Sequence, residues 1–287
     1  MKNSFLAAAA TLFAAFCILG SCSSAVPREF TFVQITDPQM GFKEKGAVER
    51  SVRLLDTAVM AINAIHPAFV VVTGDLQSHW QDSLEYAAYK AGIAGIAEDI
   101  PVYVLPGNHD YRPFKEPGSD VDYLEKYGTD RFVFTYGDCL FLGFNSCLVQ
   151  DADKDPSKEE EQFGWIDGNL GKSGRKVSRR FLFAHCSIIR ESVDEEEDYF
   201  NFHAPYREKY LKLCKDYDID AVFTGHYHRP RNTEVDGTQH VTCTSSGWAL
   251  GDGYPGINIV KVTKDGFSWE QLPSAVALKK AGDCFAK

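Results

Sequence analysis

Apolar and polar positions alternate between two periods along the chain. Glu29–Thr36 reads as a strand. Val48–Ile65 places Val52, Leu55, Val59 and Ile62 at helical spacing, which predicts an amphipathic helix with Pro67 beyond its end. Phe69–Thr73 is a continuous β-branched run, the pattern of a strand covered on both faces. Ser83–Ala97 predicts a second helix, Val102–Leu105 a third strand, and Asp120–Tyr127 a short helix stopped by Gly128. The second half is richer in strands. Phe132–Tyr136 and Cys139–Phe144 flank Gly137-Asp138, a hairpin signature. Lys158–Leu170 predicts a helix closed by Gly171, and Pro205–Tyr217 another. Arg180–Ala184, Ala221–Phe223, His240–Thr244, Ile257–Thr263 and Phe267–Leu272 read as strands. Two halves mixing strands and helices predict an α/β fold, a two-sheet β-sandwich flanked by helices. No linker, repeat or low-complexity run follows residue 30, so a single domain over 29–275 is expected, with a tail over 276–287.

The polar residues that interrupt these runs fall where strands end. Asp37-Pro38-Gln39, Gly74-Asp75, Gly107-Asn108-His109-Asp110 and Gly225-His226-Tyr227-His228 each follow an apolar, β-rich run, and His185 follows Phe181–Ala184. In α/β sheets the carboxyl ends of strands are where sites assemble. Asp, Asn and His are poor strand residues, and all three bind divalent metals. Gly74, Gly107 and Gly225 suit bends that bring backbone close to a ligand. Alone, each block is as compatible with an ordinary turn as with a site. His226 and His228 alternate, so in an extended segment they would face opposite ways; both serve one site only if the chain bends after Gly225.

Taken in order, the blocks resemble the calcineurin-like metallophosphoesterase superfamily over Phe30 to Val262. Gln39 stands where that family usually has His. Together with Glu191–Phe200 after His185, it makes the chain similar to the subgroup of the calcineurin-like phosphoesterase domain-containing protein 1. The resemblance implies two divalent metals, roughly 3.5–4 Å apart, that clamp a phosphoryl group while a water between them becomes hydroxide. It implies that Asp75 bridges them, that Asp37, Gln39 and His228 complete the first metal, and that Asn108, His185 and His226 complete the second. His109 would face the substrate as a catalytic acid, and Asp110 would pair with it, orient it and raise its pKa. Arg112 and Arg229 would reach substrate oxygens. The implied activity is hydrolysis of a phosphomonoester. A phosphodiesterase on the same site and a non-catalytic metal-binding lipoprotein are the rivals. Mn, Fe, Zn and Mg all accept mixed N/O ligands; the neutral, harder oxygen of Gln39 leans toward Mn. The acidic run Asp194–Asp198 is either a solvated loop or a rim that would favour a neutral or cationic leaving group.

Composition narrows the partners. The chain has 287 residues, 44% of them hydrophobic, enough for an ample core. A net charge of −10 argues against nucleic acid as a partner. It does not argue against a phosphorylated substrate, because bound divalent ions dominate the local field. Phe5–Leu19 is too short to span a bilayer comfortably, and Leu19-Gly20-Ser21-Cys22 resembles a bacterial lipobox. The expectation is a signal peptide over 1–21, a lipid on Cys22, a tether over 22–28, and anchoring in a bacterial cell envelope, on the periplasmic side. The alternative is an ordinary signal peptide with Cys22 incidental. Cys139, Cys147, Cys186, Cys214, Cys243 and Cys284 allow 15 pairings, and buried free thiols compete equally with bridges.

Overall fold

The computed structural model describes residues 28–174 and 177–285. The expected signal peptide, Cys22 and the tether before Arg28 lie outside the described residues. The order is β1 (Phe30–Ile35), α1 (Glu49–Ile65), β2 (Val70–Thr73), α2 (Ser83–Ile93), β3 (Val102–Leu105), α3 (Ser119–Tyr127), β4 (Phe132–Tyr136) and β5 (Cys139–Gly143). It continues with α4 (Ser146–Gln150), α5 (Pro156–Ser173), β6 (Arg179–Phe183), α6 (Ala204–Asp216), β7 (Ala221–Thr224), β8 (Arg231–Val235), β9 (Thr238–Thr242), β10 (Gly256–Val262), β11 (Phe267–Pro273) and α7 (Ser274–Phe285).

The strands form two sheets, β11-β10-β1-β2-β3 and β4-β5-β6-β7-β9-β8. The centre of each is parallel: β1 with β2 and β3, and β5 with β6, β7 and β9. Antiparallel strands sit at the edges. Strand alternation builds the layers. Phe32, Phe69, Phe141, Phe181, Phe183 and Phe223 point between the sheets into one aromatic core. Phe32 stacks on Phe69 with ring centroids 5.1 Å apart and meets Phe141 edge-on at 5.5 Å. The intervening residues face outward: Val33, Ile35, Val70 and Val72 share a second core with α1 residues Leu55, Val59 and Ile62. Leu140, Leu142, Leu182 and Val222 share a third with Ile166, Leu170, Tyr210 and Leu213 of α5 and α6. The result is helix, sheet, sheet, helix, as the sequence and the resemblance predict.

Several boundaries differ. Helix α2 stops at Ile93 rather than Ala97, although Ile96 and Ile100 still pack into the core. Helix α5 runs through Gly164, Gly168 and Gly171 and ends before Gly174 at φ 50°. Burial of Ile166 and Leu170 outweighs the roughly 1 kcal/mol that each interior glycine costs. Three elements carry no clear sequence signal: the five-residue α4, the polar edge strand β8, and α7. Residues 276–285, expected as a tail, belong instead to α7, which packs on α1 and buries Ala277 in the helix-side core. Cys139, Cys147, Cys186, Cys214 and Cys243 are buried free thiols. Among the described residues no helix is long and apolar enough to cross a membrane.

Candidate metal centre

Strands β1, β2 and β3 of one sheet and β6 and β7 of the other end at the same edge of the sandwich. The chain bends sharply there. Asp37, Gln39, Asp75, His226 and His228 have φ of 49°, 38°, 51°, 66° and 57°, a region that side-chain-bearing residues rarely enter. Such conformations persist only where the surroundings over-determine them. Here Ser245 Oγ donates to the Asp37 carbonyl at 2.7 Å and Ser246 Oγ to the Thr36 carbonyl at 2.8 Å. The three glycine-led turns are filled: a Cβ on Gly74 would lie 2.6 Å from Gly107 N, one on Gly107 2.2 Å from Asp75 N and Oδ1, and one on Gly225 1.9 Å from Thr36 Oγ1. Left-handed backbone at both His226 and His228 removes the alternation problem, and the two side chains line one cavity of about 170 Å³.

Donor atoms meet in two groups that share one carboxylate. Asp75, His185 and His226 form the first, and Asp37, Asp75 and His228 the second, each with ligand atoms within 4.8 Å of one another. The outer nitrogens settle the tautomers. His185 Nδ1–H donates to the Thr73 carbonyl at 2.8 Å, and His226 Nε2–H donates to the Tyr199 carbonyl at 2.9 Å. When both rings are neutral, His185 Nε2 and His226 Nδ1 face each other as lone pairs at 3.1 Å, with Asn108 Oδ1 another 3.2 Å from His185. His228 Nδ1–H likewise donates to the Trp248 carbonyl, leaving Nε2 3.2 Å from Asp37 Oδ1 outside hydrogen-bonding geometry. Gln39 Oε1 and Asp37 Oδ1 are buried with no donor among the described residues. Acceptors crowded on acceptors, with orphaned buried oxygens, are what a set of divalent-cation ligands looks like. The residues fit two ions.

The charges follow the same geometry. Burial disfavours the Asp75 carboxylate, but His185 beside it, at 3.3 Å, wins and holds its pKa well below the usual range. Asp37 is likewise lowered: burial opposes, and His228 outweighs it. Burial disfavours a charge on His185, but Asp75 pushes its pKa up to about 9. Burial and the neighbouring His185 push His226 down to about 4. Burial opposes a raised pKa at His228, and Asp37 overcomes it.

His109 lines the cavity, its backbone N–H donating to Asp75 Oδ1 at 2.9 Å and Nδ1–H to the Ser78 carbonyl at 2.8 Å. The expected pairing of His109 with Asp110 is absent. The Asp110 carboxylate turns inward and accepts from the amides of Leu76 (3.0 Å), Gln77 (3.2 Å) and Gly107 (2.9 Å). It staples the β2 and β3 turns together and reaches His109 only through the backbone. Burial and Asp75 push its pKa up to about 7 against those amides.

Arg229 turns away: Nε lies 3.7 Å from Asp252 and the guanidinium sits over Tyr227, beyond the residues lining the cavity. Arg112 lies in a neighbouring cavity described below. The acidic run splits. Glu195 accepts from the Arg190 and Glu191 amides and from Asn201, Glu197 accepts from the Ala204 amide at the start of α6, and Asp198 pairs with Arg190. It is largely a structural loop rather than a bare acidic rim. Its end supplies a residue that the sequence does not single out. Tyr199 OH accepts from Asn108 Nδ2 at 2.7 Å, which turns Asn108 Oδ1 toward His185, and its ring packs 4.7 Å from that of His226. The only hint is an aromatic pair closing a charged run.

The family model for calcineurin-like phosphoesterases matches residues 30–230. Serine/threonine-protein phosphatase CPPED1 from Bos taurus is 30% identical, the match covering 86% of each chain. CPPED1 from Danio rerio is 31% identical over 82% of each. The fold is that of a dimetal phosphatase from Danio rerio, with a TM-score of 0.62 at 15% identity, covering 85% of this chain and 96% of that one. It is also that of a purple acid phosphatase from yellow lupin seeds, with a TM-score of 0.68 at 16% identity, covering 86% of this chain and 52% of that one. The doubled donor set around Asp75, on this fold and with this match, places the chain in the calcineurin-like phosphoesterase family, on its CPPED1 branch, as a dinuclear-metal hydrolase of phosphoric esters.

Proposed function

We propose that the protein is a phosphomonoesterase, and that the two buried ligand groups sharing Asp75 carry this reading. Asp37, Gln39 and His228 would hold one metal, Asn108, His185 and His226 the other, with Asp75 shared between them. Bound there, the ions would supply Lewis-acid stabilisation of the phosphoryl group and a water activated near neutral pH. Among the described residues no Ser, Thr or Cys lines the cavity, which favours direct attack by water over a phosphoenzyme. His109 keeps Nε2 free because Nδ1–H is held by Ser78. Protonated there, the ring would donate the Nε2 proton to the leaving oxygen and return to its neutral Nδ1–H form. Asp110 keeps the Asp75 and Asn108 turns in register, and Tyr199 orients Asn108. Phe42, Phe200 and Leu250 line the cavity mouth and thin the water around the reacting centre. The phosphatase names of the relatives favour a monoester over a diester. Mn is favoured because Gln39 offers a neutral oxygen.

Metal analysis of purified protein, beside turnover of chromogenic mono- and diesters with each metal added back, tests the reading. Monoester turnover that follows metal loading supports it. Preferred diester turnover would replace it with a phosphodiesterase, and fully loaded protein inert on both would replace it with a binding role. We also propose, from Leu19-Gly20-Ser21-Cys22 alone, that a lipid on Cys22 holds the domain at a periplasmic membrane face.

A further inference from the structure

A second cavity, of about 260 Å³, adjoins the metal centre. The two share a wall: Tyr199 lines both, and Asn108 lines the second. Its charges are unequal in their partners. Asp151 is paired with Lys154, Asp198 has Arg190 at 2.8 Å, and Asp153 has His203 at 3.7 Å. Two lining cations are differently placed. Arg112 is four-fifths buried, its Nε has no partner among the described residues, and Nη1 reaches only Glu116 at 3.8 Å. Lys115 is exposed and makes no ion pair among the described residues. A guanidinium held half-desolvated and unsatisfied is a ready partner for a planar or tetrahedral anion.

We propose that this cavity is a subsite for a second anionic group, a carboxylate or a phosphate, on the leaving-group side of the ester. The inference rests on the phosphomonoesterase reading and specifies its substrate class. It reverses the expectation from the acidic run, because Asp198, the carboxylate of that run that lines the cavity, is already paired with Arg190.

The test uses the metal-loaded full chain and non-hydrolysable phosphonates that share a spacer of two to five carbons and end in methyl, carboxylate or a second phosphonate. Calorimetry should find an anionic tail binding roughly tenfold or more tighter than the methyl tail. Arg112→Gln should bring that ratio close to one, and Arg112→Lys should keep part of it. Preference for either anionic tail supports the subsite and names its group. A ratio near one in the wild type overturns the proposal. So does a ratio that survives Arg112→Gln, because the tail would then be meeting the metals. Turnover of 4-nitrophenyl phosphate by the same preparation separates the two claims: its absence sinks the phosphomonoesterase reading, whereas turnover without tail preference sinks only the subsite.

Discussion

Metal loading should expel a proton from His185. In the metal-free protein Asp75 lies 3.3 Å from His185 Nε2 and raises its pKa to about 9. At pH 7 most of the rings are therefore charged. A metal needs the Nε2 lone pair, so binding releases about one proton from this residue. The competition weakens metal binding on the order of 100-fold at pH 7, recovered about tenfold per unit as pH rises toward 9. His226, at about 4, is already neutral and contributes none, while the raised pKa of His228 adds to the release at the other metal. Calorimetric titration of metal-free protein with Mn at pH 7, in buffers of different ionisation enthalpy, reads the number directly. One to two protons are expected, falling above pH 9. Heats independent of buffer would refute the argument, since His185 would then be neutral before the metal arrives. The same shifts set the pH dependence of metal-free stability. His185, raised above the unfolded value near 6.5, stabilises fully below that pH, and the contribution is lost as pH rises through 9. His226 and His240, lowered to about 4, make stability rise between pH 4 and 6.5, and Asp110, raised to about 7, offsets part of that rise. Denaturant midpoints should therefore peak near pH 6.5 and flatten on the alkaline side once metal is bound.

Asp75→Asn should strip most metal and activity, whereas His109→Ala should keep both metals and cut turnover by roughly 10²–10⁴-fold; metal loss in the His109 variant, by elemental analysis, would contradict its role as acid. Gln39→His should tighten the first metal and move its preference from Mn toward Zn, read by calorimetry with each ion; unchanged affinities would remove Gln39 from the ligand set. Gly225→Ala puts a Cβ 1.9 Å from Thr36 Oγ1 and 2.7 Å from Asp37 Oδ2, so it should break the Thr36–Asp37 hydrogen bond, lower stability by about 2–4 kcal/mol and weaken the metal held by Asp37; a denaturant midpoint equal to wild type would show that the turn can yield. Cys22→Ser should abolish incorporation of a labelled fatty acid, and equal labelling of both forms would end the lipid-anchor proposal.

Local rules reach a long way in this chain. Continuous apolar runs mark the central strands of both sheets because one face meets the aromatic core and the other the helices. Polar blocks at the strand ends mark the donors because nothing else in a buried parallel strand would tolerate them. Where packing rather than periodicity decides, the reading falters: α5 runs past Gly171, and α7 exists because α1 offers it an apolar face. The ligand types are legible, but their convergence is not. His226 N–H finds Asp37 Oδ2 across 189 residues, and His185 finds Thr73 across 112. The left-handed bends at Asp37, Asp75 and His226, the turn of Asp110 onto three amides, and Tyr199 OH on Asn108 have no local signature. Each depends on which backbone group lies opposite once the two sheets have closed, and closure belongs to the tertiary structure.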